Sequence, residues 1–296
     1  MTTDTIAELQ NVHKRFDKTI ALDGLNLQVG HGELLAVLGP NGAGKTTAIS
    51  IMLGIERADR GSAYLFGQSP EECAARRHIG VMMQEVYLAP ELRVREHIEL
   101  IASYYPDPLP TDEAMDLTQT KSLANRPYGK LSTGQKRQAQ FAIAICGRPK
   151  LLFLDEPTVG LDIQARETMW SALRAIVSRG SSIVLTTHYL EEAEALADRV
   201  AVLARGRLIK QGTVEEIRAF VARKRITCRT TLGLEQIQTW PEVERVSRTQ
   251  QHLQIVASEA EDVVRRLLAA DEALADLEVH RAGLAEAFAE LTKEAA

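Results

Sequence analysis

In the stretch ELLAVLGPNGAGKTTAISIML, residues 33–53, a strand, a loop and a helix can be read in succession. Its first part, ELLAVLG, is a short apolar run that reads as a buried strand, and residues 45–53 read as a helix. Between them GPNGAGKTT, residues 39–47, fits the pattern G-x-x-x-x-G-K-[ST] in the strand-then-helix context that pattern requires. Its chemistry is that of a phosphate cradle: glycines let backbone N–H groups turn inward, the helix N-terminus adds positive potential, and Lys45 sets a point charge near the terminal phosphates. The binding residues are therefore Gly39, Pro40, Asn41, Gly42, Ala43, Gly44, Lys45, Thr46 and Thr47, with Thr46 the expected ligand of a magnesium ion, Mg2+.

Outward from this loop, strand-like runs recur at 151–154, 183–186 and 200–203, with helical patterns at 165–177 and 191–197 between them. Such alternation predicts an α/β fold with a largely parallel sheet and a ligand at the C-terminal ends of its strands. The run LLFLDE, 151–156, delivers Asp155 to a strand end, where a carboxylate can hold the metal. Glu156 follows and is placed to orient and deprotonate an attacking water.

Residues 86–145 read as helical, punctuated by Pro106, Pro108, Pro110 and Pro127, and are expected to form a helical subdomain inserted into the sheet domain. After about Phe220 the pattern changes through a basic stretch at 223–225. Strands are expected at 226–228, 243–246 and 253–256, followed by a helix with Val263, Val264, Leu267 and Leu268 on one face. A last helix carries the stripe Leu284, Phe288 and Leu291. The expected division is a domain over 1–220 and a small α+β domain over 225–296.

With 296 residues, 45% hydrophobic and 25% charged, the chain has material for two cores. Lys and Arg number 35 against 40 Asp and Glu, so no global charge steers it to nucleic acid. Cys73, Cys146 and Cys228 stand far apart without metal-ligand neighbours, which suggests a reducing compartment. The N-terminus, MTTDTIAELQNVHKRF, lacks the apolar core of a secretory signal, and no apolar run approaches the roughly 18 residues that cross a bilayer. The expectation is a cytoplasmic protein that does not itself span a membrane.

Between the loop and LLFLDE stands LSTGQ, 131–135, followed by KRQAQFAIAI, and here the chain resembles the ATP-binding subunits of ABC transporters. Their signature is usually LSGGQ; Thr133 replaces the first glycine, while Ser132, Gly134 and Gln135 are retained, and function is expected to survive. Physically, Ser132 can cap a helix that starts there and leave N–H groups aimed at an anion. Gln84, after GVMM, resembles the Q-loop; Asp162, in GLD at 160–162, the D-loop; His188, after IVLTT, the switch histidine. Phe16 occupies the place where the family stacks an aromatic on adenine. The resemblance covers about residues 6–220, and GTVEEIRA at 212–219 with GLAEAFAELT at 283–292 looks like the subunits serving ABC-2 type permeases, many of them exporters of drugs or polysaccharides.

The resemblance implies ATP with Mg2+ as cofactors and a head-to-tail dimer in which each nucleotide lies between the loop of one chain and the signature of the other. It implies that Thr46, Gln84 and Asp155 organise the metal, that Glu156 polarises water, and that His188 steadies the γ-phosphate. Ser132, Gly134 and Gln135 would reach the nucleotide from the partner chain, and Asp162 would cross the dimer seam. Because Glu156 and His188 are both present, a homodimer is favoured, with a heterodimer left open. The implied partner is a separate multi-span ABC-2 type permease, docked beside residues 84–101, which would hold the protein on the inner face of the cell membrane. The small C-terminal domain stabilises the dimer, regulates it or binds the permease. A soluble ABC ATPase of DNA repair or translation is the rival; it is disfavoured because no heptad tract interrupts the chain and each motif occurs once.

Overall fold

The computed structural model describes residues 5–219, 224–249, 252–281 and 284–294. Contacts divide them into two compact units, one ending at Val214 and the other spanning Glu215–Glu294. The change of character expected near Phe220, Arg223 of the basic stretch, and Gly283 at the start of the tail motif lie outside the described residues.

In the first unit, β1 (Thr5–Phe16) and β2 (Thr19–Gly30) form a hairpin. After β3 (Leu34–Leu38) and α1 (Lys45–Met52) comes β4 (Arg60–Leu65), which pairs with β1 to complete an antiparallel sheet in the order β2-β1-β4. Then follow α2 (Cys73–Arg76), β5 (Ile79–Met82), α3 (Val94–Ala102), α4 (Thr111–Leu117), α5 (Thr133–Ile145), β6 (Leu151–Asp155) and α6 (Ile163–Ser178). The unit closes with β7 (Ser182–Thr187), α7 (Leu190–Leu196), β8 (Arg199–Ala204) and β9 (Arg207–Thr213).

The main sheet has the order β5-β6-β7-β3-β8-β9, parallel except for β9, which runs antiparallel at the edge. Every residue of β3, β6 and β7 is buried, which explains the apolar runs at 34–38, 151–154 and 183–185 within them: a parallel sheet is covered on both faces. On one face Leu35, Val37, Phe153 and Val184 pack with α1 and the antiparallel sheet. On the other, Leu34, Leu152, Leu154 and Leu185 pack with α5, α6 and α7.

The inserted helical region has a core of its own, with Val94, Ile98, Met115 and Tyr128 at its centre. Helix α5 serves both cores. Phe141, Ala144 and Ile145 face the sheet, whereas Ala139, Ala142 and Cys146 face the insert. No helix among the described residues is long and apolar enough to cross a membrane.

Helix α8 (Val214–Ala219) begins on the last residue of the first unit, and the second unit continues through β10 (Lys224–Arg229), α9 (Leu234–Gln238), β11 (Val243–Thr249), β12 (His252–Ala257), α10 (Ala260–Ala270), β13 (Ala275–Arg281) and α11 (Leu284–Glu294). The antiparallel sheet has the order β11-β12-β10-β13, so β10 to β13 with their two helices make the β-α-β-β-α-β arrangement of ferredoxin-like domains. Strand β13, unread in the sequence, is an edge strand whose Asp276, Glu278 and His280 break any apolar run, and Val279 is 47% exposed. On α10, Ala260, Val263 and Leu267 are buried, but Leu268 is 59% exposed, which corrects its placement on the apolar face. One residue beyond Leu267 turns the helix by about 100°, and that carries Leu268 off the stripe. On α11, Leu284 and Leu291 are buried together with Ala287, and Phe288 is only partly covered.

Candidate functional site

The site is built where β3, β6 and β7 end. Backbone conformation makes the loop after β3 depend on glycine: Gly44 has φ +100°, and a Cβ there would lie 2.6 Å from the Ala21 carbonyl oxygen. Gly39 is as constrained, since a Cβ would meet the Leu203 carbonyl oxygen at 2.6 Å. Lys45, the first residue of α1, is buried and folds back, its Nζ donating to the carbonyls of Gly39 at 2.7 Å and Pro40 at 3.2 Å. Burial pushes its ammonium down, and the carboxylates of Glu156 and Asp155 offset this only in part. Ala43 is buried and closes the turn with an N–H bond to Pro40, while Pro40, Asn41, Gly42 and Thr46 lie open to solvent and Thr47 is partly covered.

The β6–β7 register places Asp155 opposite Thr186. The Thr186 hydroxyl donates to Asp155 Oδ1, and the Thr46 hydroxyl donates to Asp155 Oδ2 at 3.0 Å. Strand, helix and loop are thereby joined at one buried carboxylate, Asp155 being 1% exposed. Among the described residues no group of three or more His, Cys, Asp or Glu side chains could hold a metal by itself. The Thr46 hydroxyl and the Asp155 carboxylate are hard oxygen donors, and they suit an ion such as Mg2+ that keeps waters and takes substrate phosphates as its other ligands.

Glu156 sits just past the strand in the left-handed region, φ +49°. Its N–H is held by Thr186, through the carbonyl at 3.1 Å and the hydroxyl at 3.2 Å. Its Oε2 is 3.2 Å from His188 Nδ1, on a ring 41% exposed at the end of β7. The neighbouring Thr187 hydroxyl accepts from the Tyr189 N–H and fixes the turn that carries His188. A carboxylate and an imidazole in contact, beside a phosphate loop and a metal-competent carboxylate, are the groups needed to position water and steady a phosphoryl group.

The other sequence candidates have neighbours of their own. Ser132 caps α5: its hydroxyl accepts from the Gln135 N–H at 3.3 Å, and Gln135 Oε1 accepts from the Ser132 N–H at 3.2 Å and from Arg126 at 3.1 Å. A Cβ on Gly134 would lie 3.3 Å from the Gly160 carbonyl oxygen, so the signature adjoins the GLD turn of its own chain. Asp162 caps α6 by accepting from the Ala165 N–H at 2.8 Å. Phe16 ends β1 opposite Thr19, 44% exposed, with Lys14 Nζ 5.0 Å from its ring centre. Gln84 is exposed and lines a groove of about 600 Å³ with Tyr87, Tyr128, Arg137 and Gln140.

Sequence reasoning missed Thr186 and Arg137. Thr186 carries no motif; its part follows from a register invisible before the sheet is formed. Arg137 did leave a signal, because it shares the helical stripe of Phe141, Ala144 and Ile145, and a charge on a buried face needs a partner.

A glycine-rich loop at the end of a central parallel strand, with a metal-competent carboxylate on the neighbouring one, defines a phosphate-binding-loop nucleotide domain. The ABC transporter family matches residues 22–159. Nod factor export ATP-binding protein I of Burkholderia thailandensis is 42% identical over 214 residues, covering 69% of this chain and 70% of that protein. A daunorubicin resistance ATP-binding protein of Streptomyces coeruleorubidus is 36% identical over 230 residues, covering 75% and 73%. The solved structure of an ATP-binding subunit of an ABC transporter superposes with a TM-score of 0.68 at 26% identity, over 73% of this chain and 93% of the other. The chain belongs to the ABC transporter family as an ATP-binding subunit, and it hydrolyses ATP.

Proposed function

We propose that this subunit powers an exporter of the ABC-2 type, closing with a second copy around ATP and driving a separate multi-span permease at the inner face of the cell membrane. The observation that carries the reading is the joined pair of contacts at the strand ends, Thr46 to Asp155 and Glu156 to His188. The export in the name of the Nod factor relative supports the direction of transport.

In this reading Gly39, Gly42 and Gly44 shape the cradle, Lys45 leaves its loop carbonyls for the β- and γ-phosphates, and Phe16 stacks on the adenine. Thr46 and Asp155, with Gln84, would hold Mg2+, which would supply charge neutralisation on the phosphates. Glu156 accepts the proton of the attacking water as its oxygen bonds to the γ-phosphorus and the bond to ADP breaks. His188 holds Glu156 beforehand and then steadies the γ-phosphate. Ser132 and Gly134 supply N–H groups to the partner's nucleotide from the start of α5, while Gln135 shapes the cap, its Oε1 being engaged already. Asp162, which caps α6 within the chain, lies at the seam between two copies. Residues 1–220 are then the ATPase domain, with the helical insert of 86–145 facing the permease, and 225–296 an accessory domain.

The test is co-expression with a candidate multi-span permease of the ABC-2 type. The two should purify together in detergent, and turnover should rise when both are placed in a bilayer. Full, unchanged ATPase activity without any membrane partner would count against the transporter reading.

A further inference from the structure

Arg137 is a buried cation, 7% exposed, set between segments of the site. It projects from the first turns of α5 and donates to three segments, its own helix included. Its Nη1 bonds the Met83 carbonyl at 3.0 Å, immediately before Gln84, and the Gln140 side chain at 3.3 Å. Its Nη2 bonds the carbonyl of Glu156 at 3.4 Å. Gln140 in turn donates to the Tyr128 hydroxyl at 2.7 Å, and Tyr128, Gln140 and Arg137 all line the groove that holds Gln84. Burial pushes the guanidinium down, and Asp155, Tyr128 and Glu156 offset this only in part.

The contact with Glu156 matters because of backbone conformation. A glutamate at φ +49° occupies a sparsely populated region, and such a residue stays there only when its surroundings hold it from several sides. Thr186 holds the Glu156 N–H. Its carbonyl has the Val159 N–H at 3.4 Å and Arg137. Removing Arg137 therefore loosens the peptide that aims the Glu156 carboxylate, and the three bonds lost run to the Met83 and Glu156 carbonyls and to Gln140, none to that carboxylate or to the phosphate loop.

We infer that Arg137 is a positioning residue: it ties the carbonyl of Glu156 to the wall of the Gln84 groove, so that a shift of that wall re-aims the carboxylate that activates water. This rests on the proposed role of Glu156 as base. Arg137 spans the segment beside Gln84, the helix of the signature and the peptide of Glu156.

The test uses full-length protein and four variants: Arg137→Met, Arg137→Lys, Glu156→Gln and the double variant Arg137→Met with Glu156→Gln. Arg137→Met should lower kcat by about 10- to 100-fold, the scale of a misplaced catalytic group, while the Kd for ATP moves less than about threefold. Arg137→Lys, which keeps the charge but cannot span three acceptors, should recover part of the rate. In the Glu156→Gln background, Arg137→Met should cause no further loss, because it acts through the carboxylate already removed. An equal further loss in that background, or unchanged kcat in folded Arg137→Met, overturns the inference. Should Arg137→Met fail to fold, Arg137→Lys and Gln140→Leu stand in, and wild-type kcat in both overturns it equally. Retained turnover in Glu156→Gln alone would instead sink the underlying assignment of the base.

Discussion

His188 Nδ1 lies 3.2 Å from Glu156 Oε2 at the ends of adjacent strands β7 and β6. That contact sets an imidazole nitrogen beside the carboxylate that is placed to activate water, so the two side chains act on the same phosphoryl group. His188→Ala should therefore retain ATP binding and lose about 10²- to 10³-fold in kcat, the scale of one electrostatic partner at a transition state. Steady-state kinetics with a separate binding titration checks this; a change in Kd alone would assign His188 to binding.

Lys45 folds onto the Gly39 and Pro40 carbonyls and is drawn toward Asp155 and Glu156. Substituting Met keeps the apolar stem and removes the donors. Each charge-assisted bond to phosphate contributes about 1.5–3 kcal/mol, so ATP affinity should fall by about tenfold to a hundredfold or more. Titration with a fluorescent ATP analogue measures it, and a Kd within about twofold of wild type would remove Lys45 from the phosphate site.

Glu192 on α7 is 1% exposed, with Oε1 accepting from Trp170 Nε1 at 3.2 Å. Burial pushes its carboxyl above the ordinary value of 4.5, and Thr187, Trp170 and Thr158 offset this only in part. A raised folded value means that the native state binds more protons than the unfolded chain just above pH 4.5, so Glu192 lowers stability as pH rises through that window. A tenfold difference in proton affinity between the folded and unfolded chain is worth about 1.4 kcal/mol. Urea unfolding across about pH 4 to 8 should show a decline that Glu192→Gln reduces; identical slopes in both proteins would exclude Glu192 as its source.

In the second unit the two leucines at 267 and 268 separate packing from surface. Leu267→Ala should cost about 2–5 kcal/mol, since Leu267 is fully buried among Val263, Ile255 and Ile226. Leu268→Ala, at a 59% exposed position, should stay within about 0.5 kcal/mol. Comparable losses from both in chemical unfolding would be incompatible with this orientation of α10.

How much of the molecule is legible in the sequence follows from how local each signal is. The loop at 39–47, Asp155 at its strand end and the α/β alternation are patterns of neighbouring residues, so they can be read before any folding. Thr186, by contrast, meets Asp155 only through strand register, and Arg137 meets Met83 and Glu156 across 54 and 19 positions of chain. Edge strand β13 hides behind its acidic residues. Leu268 is misplaced when the apolar cluster of Val263, Val264, Leu267 and Leu268 is taken as one face, because the helix turns too far to keep all four on it.

If the loop from Gly39 and the carboxylate of Glu156 form half of an ATP-closed pair, removing the base should trap that pair, and light scattering on Glu156→Gln shows whether it does. With ATP and Mg2+ the variant should run at the mass of a dimer and hydrolyse ATP about 10²- to 10⁴-fold more slowly than wild type, as expected for removal of a general base. A variant that turns over at the wild-type rate, or that remains a monomer with ATP bound, would contradict the paired site.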